Sequence, residues 1–247
     1  MTSESVIKIR DLVTGFGNKT IHDHLDLDVK RGEILGVVGG SGSGKTVLVN
    51  TILNLLEPKQ GSIRVFNMNN TDPKLQSRWG VLFQSGALFS SLTVGENIEV
   101  PMREVAGISH RLAKELIALK LKMVGLEPDD ANKYPAELSG GMIKRAALAR
   151  CLALDAELLF LDEPTAGLDP ISAAAFDNLL KTLQRNLNLT VVMITHDIDT
   201  LNTVCDRVGA LVDKKMTVET LKDIKKNPHP WIQSYFHGTR GREVFGD

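Results

Sequence analysis

The chain predicts an α/β fold: a mostly parallel sheet with an antiparallel β-subdomain ahead of it and a helical subdomain inserted into it. Three observations predict this. First, the apolar run Ile34-Leu35-Gly36-Val37-Val38 feeds a glycine-rich turn and then a helically spaced stretch, Val47 to Leu56. Second, Val6 to Arg10 and Leu25 to Val29 alternate with period two, as half-buried antiparallel strands do. Third, Trp79 to Phe83, Leu158 to Leu161 and Thr190 to Thr195 are short apolar runs that read as buried strands, with helical patterning between the first two.

The turn is Gly39-Gly40-Ser41-Gly42-Ser43-Gly44-Lys45-Thr46, which fits G-x-x-x-x-G-K-[ST], the P-loop. A strand, a glycine turn and a helix start point several backbone N–H groups into one concavity, and the positive helix end adds to them, so the site suits a polyphosphate. Gly39, Gly42 and Gly44 let the backbone come close to it. Lys45 is placed to neutralise β- and γ-phosphate oxygens, and Thr46 to ligate Mg²⁺ through its hydroxyl.

Around this turn the remaining elements fall in order. Gly15-Phe16-Gly17-Asn18 is a turn carrying an aromatic that is poorly placed for a core and can stack on an adenine ring. His22-Asp23-His24 lacks an evident third ligand, and the alternation makes it a solvated face rather than a metal site. Gly61 to Phe66 returns as a strand. Gln84 ends the Trp79 strand, either as a plain turn residue or reaching toward Mg²⁺ and an attacking water. Ser109 to Val124 reads as an amphipathic helix with Leu112, Leu116, Leu119 and Met123 on one face. Ser139 N-caps a further helix whose first residues, Gly140 and Gly141, expose free N–H groups. That makes a second anion site, useful beside the first only if two copies of the chain face each other.

Leu158-Leu159-Phe160-Leu161-Asp162-Glu163 is an apolar strand ending in two acids. Asp162 can hold Mg²⁺ through water, and Glu163 can polarise the attacking water as general base. Asp169-Pro170 opens a helix running to about Asn188. His196 ends the last of these strands, where a ring nitrogen can hydrogen-bond a γ-phosphate.

Bulk numbers narrow the partners. The net charge of −1 provides no basic field for nucleic acid. Cys151 and Cys205 lack a C-x-x-C spacing and read as free structural thiols. Met1 to Ser5 carries no secretory pattern, and no apolar stretch approaches the ~18 residues that would span a bilayer. A membrane role must come through a partner.

In this order the motifs resemble the ATP-binding cassette (ABC) ATPases over nearly the whole chain. Gln84 fits the Q-loop, Leu138-Ser139-Gly140-Gly141 the signature, Asp162-Glu163 Walker B with its catalytic acid, Asp169 the D-loop and His196 the H-loop. Phe16 stands at the adenine-stacking aromatic. The signature departs at its fifth residue, where Met142 replaces the usual Gln and puts a polar contact to the ribose in doubt. Within the family, Leu82 to Phe89, Ser139 to Met142 and Asp213-Lys214-Lys215 resemble the Mla-type phospholipid transporters.

The resemblance implies a RecA-like core with its β-subdomain at 1–85 and 156–220, a helical signature subdomain at 86–155 and a tail at 221–247. It implies ATP and Mg²⁺, held by Thr46, Gln84 and Asp162. Its implied partners are a second copy that completes an ATP sandwich, a membrane permease, a periplasmic MCE-domain lipid-binding protein and a STAS-domain protein. The place of work is the cytoplasmic face of a bacterial inner membrane. Other ABC importers, lipoprotein-release systems and soluble ABC ATPases are the alternatives; a simple P-loop kinase has no use for Ser139-Gly140-Gly141. In the tail, Trp231, Tyr235 and Phe236 fall at helical spacing among Lys222, Lys225, Lys226, Arg240 and Arg242; packing on this copy, on the second copy or on a partner stays open, and the tail is expected to reach the second copy.

Overall fold

The computed structural model describes residues 4–238, so Met1, Arg240 and Arg242 lie outside the described residues. In chain order the elements are β1 (Ser5–Phe16), β2 (Lys19–Lys30), β3 (Ile34–Val38), α1 (Lys45–Ile52), β4 (Gln60–Val65), β5 (Met68–Asn69) and β6 (Trp79–Leu82). There follow α2 (Val94–Glu104), α3 (His110–Met123), α4 (Gly140–Cys151), β7 (Leu158–Asp162), α5 (Pro170–Leu187) and β8 (Thr190–Ile194). The chain ends with α6 (Ile198–Val204), β9 (Arg207–Val212), β10 (Lys215–Glu219), α7 (Leu221–Ile224) and α8 (Pro230–His237). They form two compact units, Met1–Asp72 with Thr190–Asp247, and Pro73–Leu189.

The first unit holds the antiparallel sheet β2-β1-β4-β5 and a second, mainly parallel set of strands. In the second set β3 pairs parallel with β8 and β9, and β10 closes antiparallel on β9. Every residue of β3 and β8 is buried, as a strand covered on both faces requires. The start of β3 is fixed by charge: Arg207 grips both carboxylate oxygens of the buried Glu33 at 2.7 and 2.8 Å. Asp206 accepts the Ile34 N–H at 2.8 Å.

The second unit pairs β6 with β7 in parallel and carries α2 to α5. Helix α2 opens on a capping box, Thr93 accepting from the Glu96 N–H and Glu96 from the Thr93 N–H. Asn188, in the left-handed region with φ 53°, ends α5.

The structure departs from the sequence reading at three places. Helix α1 stops at Ile52, short of Leu56, because Asn54 turns left-handed at φ 57° ahead of Pro58. On α3 the buried residues are Ala113, Ile117, Lys120 and Leu121, while Leu112 and Leu119 are exposed. The face is rotated because Lys120 lays its aliphatic stem in the interior and reaches Asp155 at 2.6 Å. His22 is buried instead of solvated. His24 takes φ 52° and the β1–β2 register shifts on either side of Thr14, so the bulge reverses the in-and-out phase before Leu25. In the tail, Ile232 and Phe236 join Val38, Leu201, Val208 and Ala210 in the core of their own unit, with Trp231 and Tyr235 packed against it, which is one of the placements the sequence left open.

Among the described residues, no helix is long and apolar enough to cross a membrane.

Candidate active site

The predicted residues fall in two groups, one in each unit. In the first unit, Gly44 caps α1 at φ 108° and Gly42 sits at φ 75°, conformations that glycine adopts without strain. A side chain is also sterically barred at two positions of the loop. A Cβ on Gly39 would lie 2.8 Å from the Leu211 carbonyl oxygen, and one on Gly44 would lie 2.5 Å from Ile21 and 2.7 Å from His22 Nε2. A Cβ on Gly42 would meet nothing, so that side of the loop is open.

The loop's polar groups lie close around the turn. The buried Lys45 ammonium donates to the carbonyl oxygens of Gly39 and Gly40 at 2.7 and 3.2 Å, arched back over the turn. Ser43 Oγ is buried with no hydrogen-bond partner among the described residues. A buried hydroxyl without a partner is costly, and an anionic oxygen in the cradle relieves it. Thr46 and Ser41 are exposed beside it. Phe16 closes β1 and is exposed, next to Gly15, whose Cβ would collide with the Lys19 carbonyl. His196 follows β8 and is exposed.

Beneath the loop lies His22, which the sequence placed on a solvated face. His22 Nδ1 pairs with Thr14 Oγ1 at 2.7 Å, and its Nε2 faces the Gly44 backbone. Burial pushes the imidazole down to about 4, the Gly44 backbone opposing this, so at neutral pH a neutral ring supports the end of α1.

In the second unit, Ser139 accepts the Met142 N–H at 3.3 Å and opens α4, as predicted. A Cβ on Gly140 would meet Leu168 at 3.5 Å, and one on Gly141 would meet Ser172 at 3.9 Å, so this turn lies against the segment around Asp169. Asp169 caps α5, accepting from the Ile171 and Ser172 backbone and from the Ser172 hydroxyl. Those bonds hold its carboxyl below the usual range, led by the Ser172 hydroxyl. Asp162 ends β7, and Glu163 takes φ 47°, a left-handed geometry that a non-glycine residue adopts at a cost.

Lys144 joins these pieces. Its buried ammonium donates to the carbonyl oxygens of Gln84 at 2.5 Å and Glu163 at 3.2 Å. Burial lowers its pKa, with Glu163 and Asp162 pulling the other way. Arg150, two turns along α4, donates to the carbonyl oxygens of Ala87 and Gly86 at 2.6 and 3.0 Å. Helix α4 therefore pins the segment after Gln84 by two cations, leaving the Gln84 side chain exposed. Lys144 and Arg150 were visible in the sequence only as helix residues after the signature. Among the described residues no cluster of three or more His, Cys, Asp or Glu is placed to hold a metal. Thr46 in the first unit, and Gln84 and Asp162 in the second, each carry an oxygen donor of the kind Mg²⁺ takes.

The sequence model described as "ABC transporter" matches residues 22–166. This chain belongs to the ABC transporter family. It is 38% identical over 88% of its length, and 84% of the other's, to the "Intermembrane phospholipid transport system ATP-binding protein MlaF" of Haemophilus influenzae. It is 32% identical to the "Probable ribonucleotide transport ATP-binding protein mkl" of Mycobacterium leprae, over 95% of this chain and 69% of that one. Among solved structures, a dimeric ATP-binding cassette in a post-hydrolysis state with ADP and Pi superposes with TM-score 0.77 at 30% identity, covering 87% of this chain and 98% of that one. As a member of this ABC family the chain is an ATPase with the ABC ATPase fold.

Proposed function

We propose that this ABC ATPase drives phospholipid transport through a partner permease, working as two copies at the cytoplasmic face of a bacterial inner membrane. The observation that carries the nucleotide chemistry is the P-loop, where barred glycine positions, a buried unpartnered Ser43 hydroxyl and an arched Lys45 meet in one turn. The lipid cargo is supported by the likeness to the Haemophilus protein. A ribonucleotide cargo is the second reading, carried by the name of the Mycobacterium leprae relative.

In this reading Phe16 stacks on the adenine, residues 39–46 hold the phosphates, and Lys45 neutralises them. Ser139, Gly140, Gly141 and Met142 belong to the other copy's nucleotide, so ATP bridges the pair. Thr46, Gln84 and Asp162 would hold Mg²⁺, which supplies charge neutralisation at the phosphates when bound. Glu163 accepts the proton of the attacking water while the water oxygen bonds to the γ-phosphorus and the bond to ADP breaks. His196 hydrogen-bonds the γ-phosphate, and Asp169 serves the D-loop. Phe89, exposed on the segment that α4 pins, and Phe83, exposed just ahead of it, offer the surface for a permease. A core of 1–85 and 156–220, a signature subdomain of 86–155 and a tail of 221–247 complete the picture. MCE-domain and STAS-domain proteins are its further partners.

Glu163→Gln is expected to lower turnover by at least about 100-fold while trapping an ATP-bound pair, read by phosphate release and by elution volume. Lys45→Ala is expected to lose nucleotide affinity instead. Wild-type turnover in Glu163→Gln removes the general base. For the cargo, phospholipid, a permease and an MCE protein are expected to copurify from native membrane.

A further inference from the structure

Helix α8 lies outside every motif named above, yet its aromatic residues touch two of them. Trp231 Nε1 lies 3.5 Å from the point where a side chain on Gly40 would begin. The indole stacks on Tyr235, with centroids 5.0 Å apart and planes at 16°. The Tyr235 hydroxyl donates to the His196 carbonyl oxygen at 3.3 Å. A continuous path of two rings therefore joins the P-loop backbone to the backbone of the predicted γ-phosphate sensor, inside one compact unit.

The helix that carries these rings is fixed independently of them. His229 caps it, accepting the Trp231 N–H on Nδ1 at 3.2 Å and donating from Nε2 to Asp213 at 3.1 Å. Gln233 donates to the Lys225 and Asn227 carbonyl oxygens at 3.0 and 2.6 Å. His237 donates to the Lys225 carbonyl oxygen at 2.9 Å. Ile232 and Phe236 are fully buried against Val38, the residue that enters the P-loop. Buried anchors on one side and polar ties at both ends give α8 a rigidity that neither Gly40 nor His196, on loops, has alone.

We propose that Trp231 and Tyr235 are positioning residues of the nucleotide site, a brace that sets the His196 backbone against the P-loop so that both meet the same triphosphate. Tyr235 acts through His196, and Trp231 acts through Gly40. The inference rests on the assignment of residues 39–46 and His196 to ATP.

Three variants separate the two ideas. Tyr235→Phe removes one hydroxyl and leaves the ring stack and anchors of α8 in place. It is expected to lower kcat about five-fold, the loss of one well-placed hydrogen bond, with KM for ATP and Tm unchanged. Trp79→Phe leaves Trp231 as the sole tryptophan, since the chain has two. Its emission is expected to shift when Mg-ATP is added and to saturate with ATP occupancy. His196→Ala is expected to abolish turnover. Wild-type kcat in Tyr235→Phe overturns the brace, as does an indole emission indifferent to Mg-ATP. Full turnover in His196→Ala overturns the site assignment itself and the brace with it.

Discussion

His22 shows what a single residue under the P-loop contributes. With its ring neutral, Thr14 and the Gly44 backbone are accommodated in a dry space. The unfolded chain takes up a proton near pH 6.5, whereas the folded chain resists until about 4. Above 6.5 both states are neutral and the full stability is present. As pH falls from 6.5 towards 4 the unfolded state binds the extra proton, so stability is lost through that window and levels off below it. The loss is about 3 kcal/mol at its limit. Urea melts at stepped pH are expected to show this acid slope in the wild type and a flatter one in His22→Gln. Equal slopes in the two proteins would place the acid sensitivity elsewhere. The sequence concealed this residue because counting outward and inward along β2 fails at the His24 bulge, which the pattern of side chains does not announce.

At the scale of elements, α4 is the member whose work was least visible. Its N-terminus was legible because Ser139, Gly140 and Gly141 are a local signal. Its grip on Gln84 was not, because Lys144 meets a carbonyl 60 positions away and no spacing rule carries that contact. Helix α2 was overlooked although Thr93 and Glu96 spell its capping box, and the α3 face was misjudged because a buried lysine took the place of a leucine. The P-loop, the buried strands and the α5 boundaries were legible because each is written in consecutive residues. Lys144→Met keeps the apolar stem and deletes the charge that holds the Gln84 and Glu163 carbonyl groups. The two carbonyl oxygens lose their donor, so a stability loss on the order of 1–3 kcal/mol is expected beside the functional one. Turnover is expected to fall about ten-fold, equivalent to ~1.4 kcal/mol of lost positioning, with ATP affinity at the P-loop unchanged. Stopped-flow binding and steady-state phosphate release separate the two, and unchanged turnover would reduce Lys144 to a packing residue.

At the scale of the whole molecule the open matter is which chain supplies each half of a nucleotide pocket. The relative solved with ADP and Pi is a dimer, and this chain carries both a P-loop and an exposed Ser139 turn. Suppose one copy carries Lys45→Ala and the other Ser139→Arg, both in a Glu163→Gln background so that ATP is not consumed. If each pocket joins the P-loop of one copy to the Ser139 turn of the other, a mixed pair concentrates both defects in one pocket. Its second pocket then combines an intact P-loop with an intact Ser139 turn. Neither parent retains ATP in a paired form, yet the mixture is expected to do so. Random pairing of equal amounts makes about half the pairs mixed, each with one of its two pockets whole. Retained radiolabelled ATP should therefore approach about a quarter of that held by the Glu163→Gln parent. If instead a single chain built its own pocket, every copy in the mixture would keep its own defect, and mixing would retain no ATP at all.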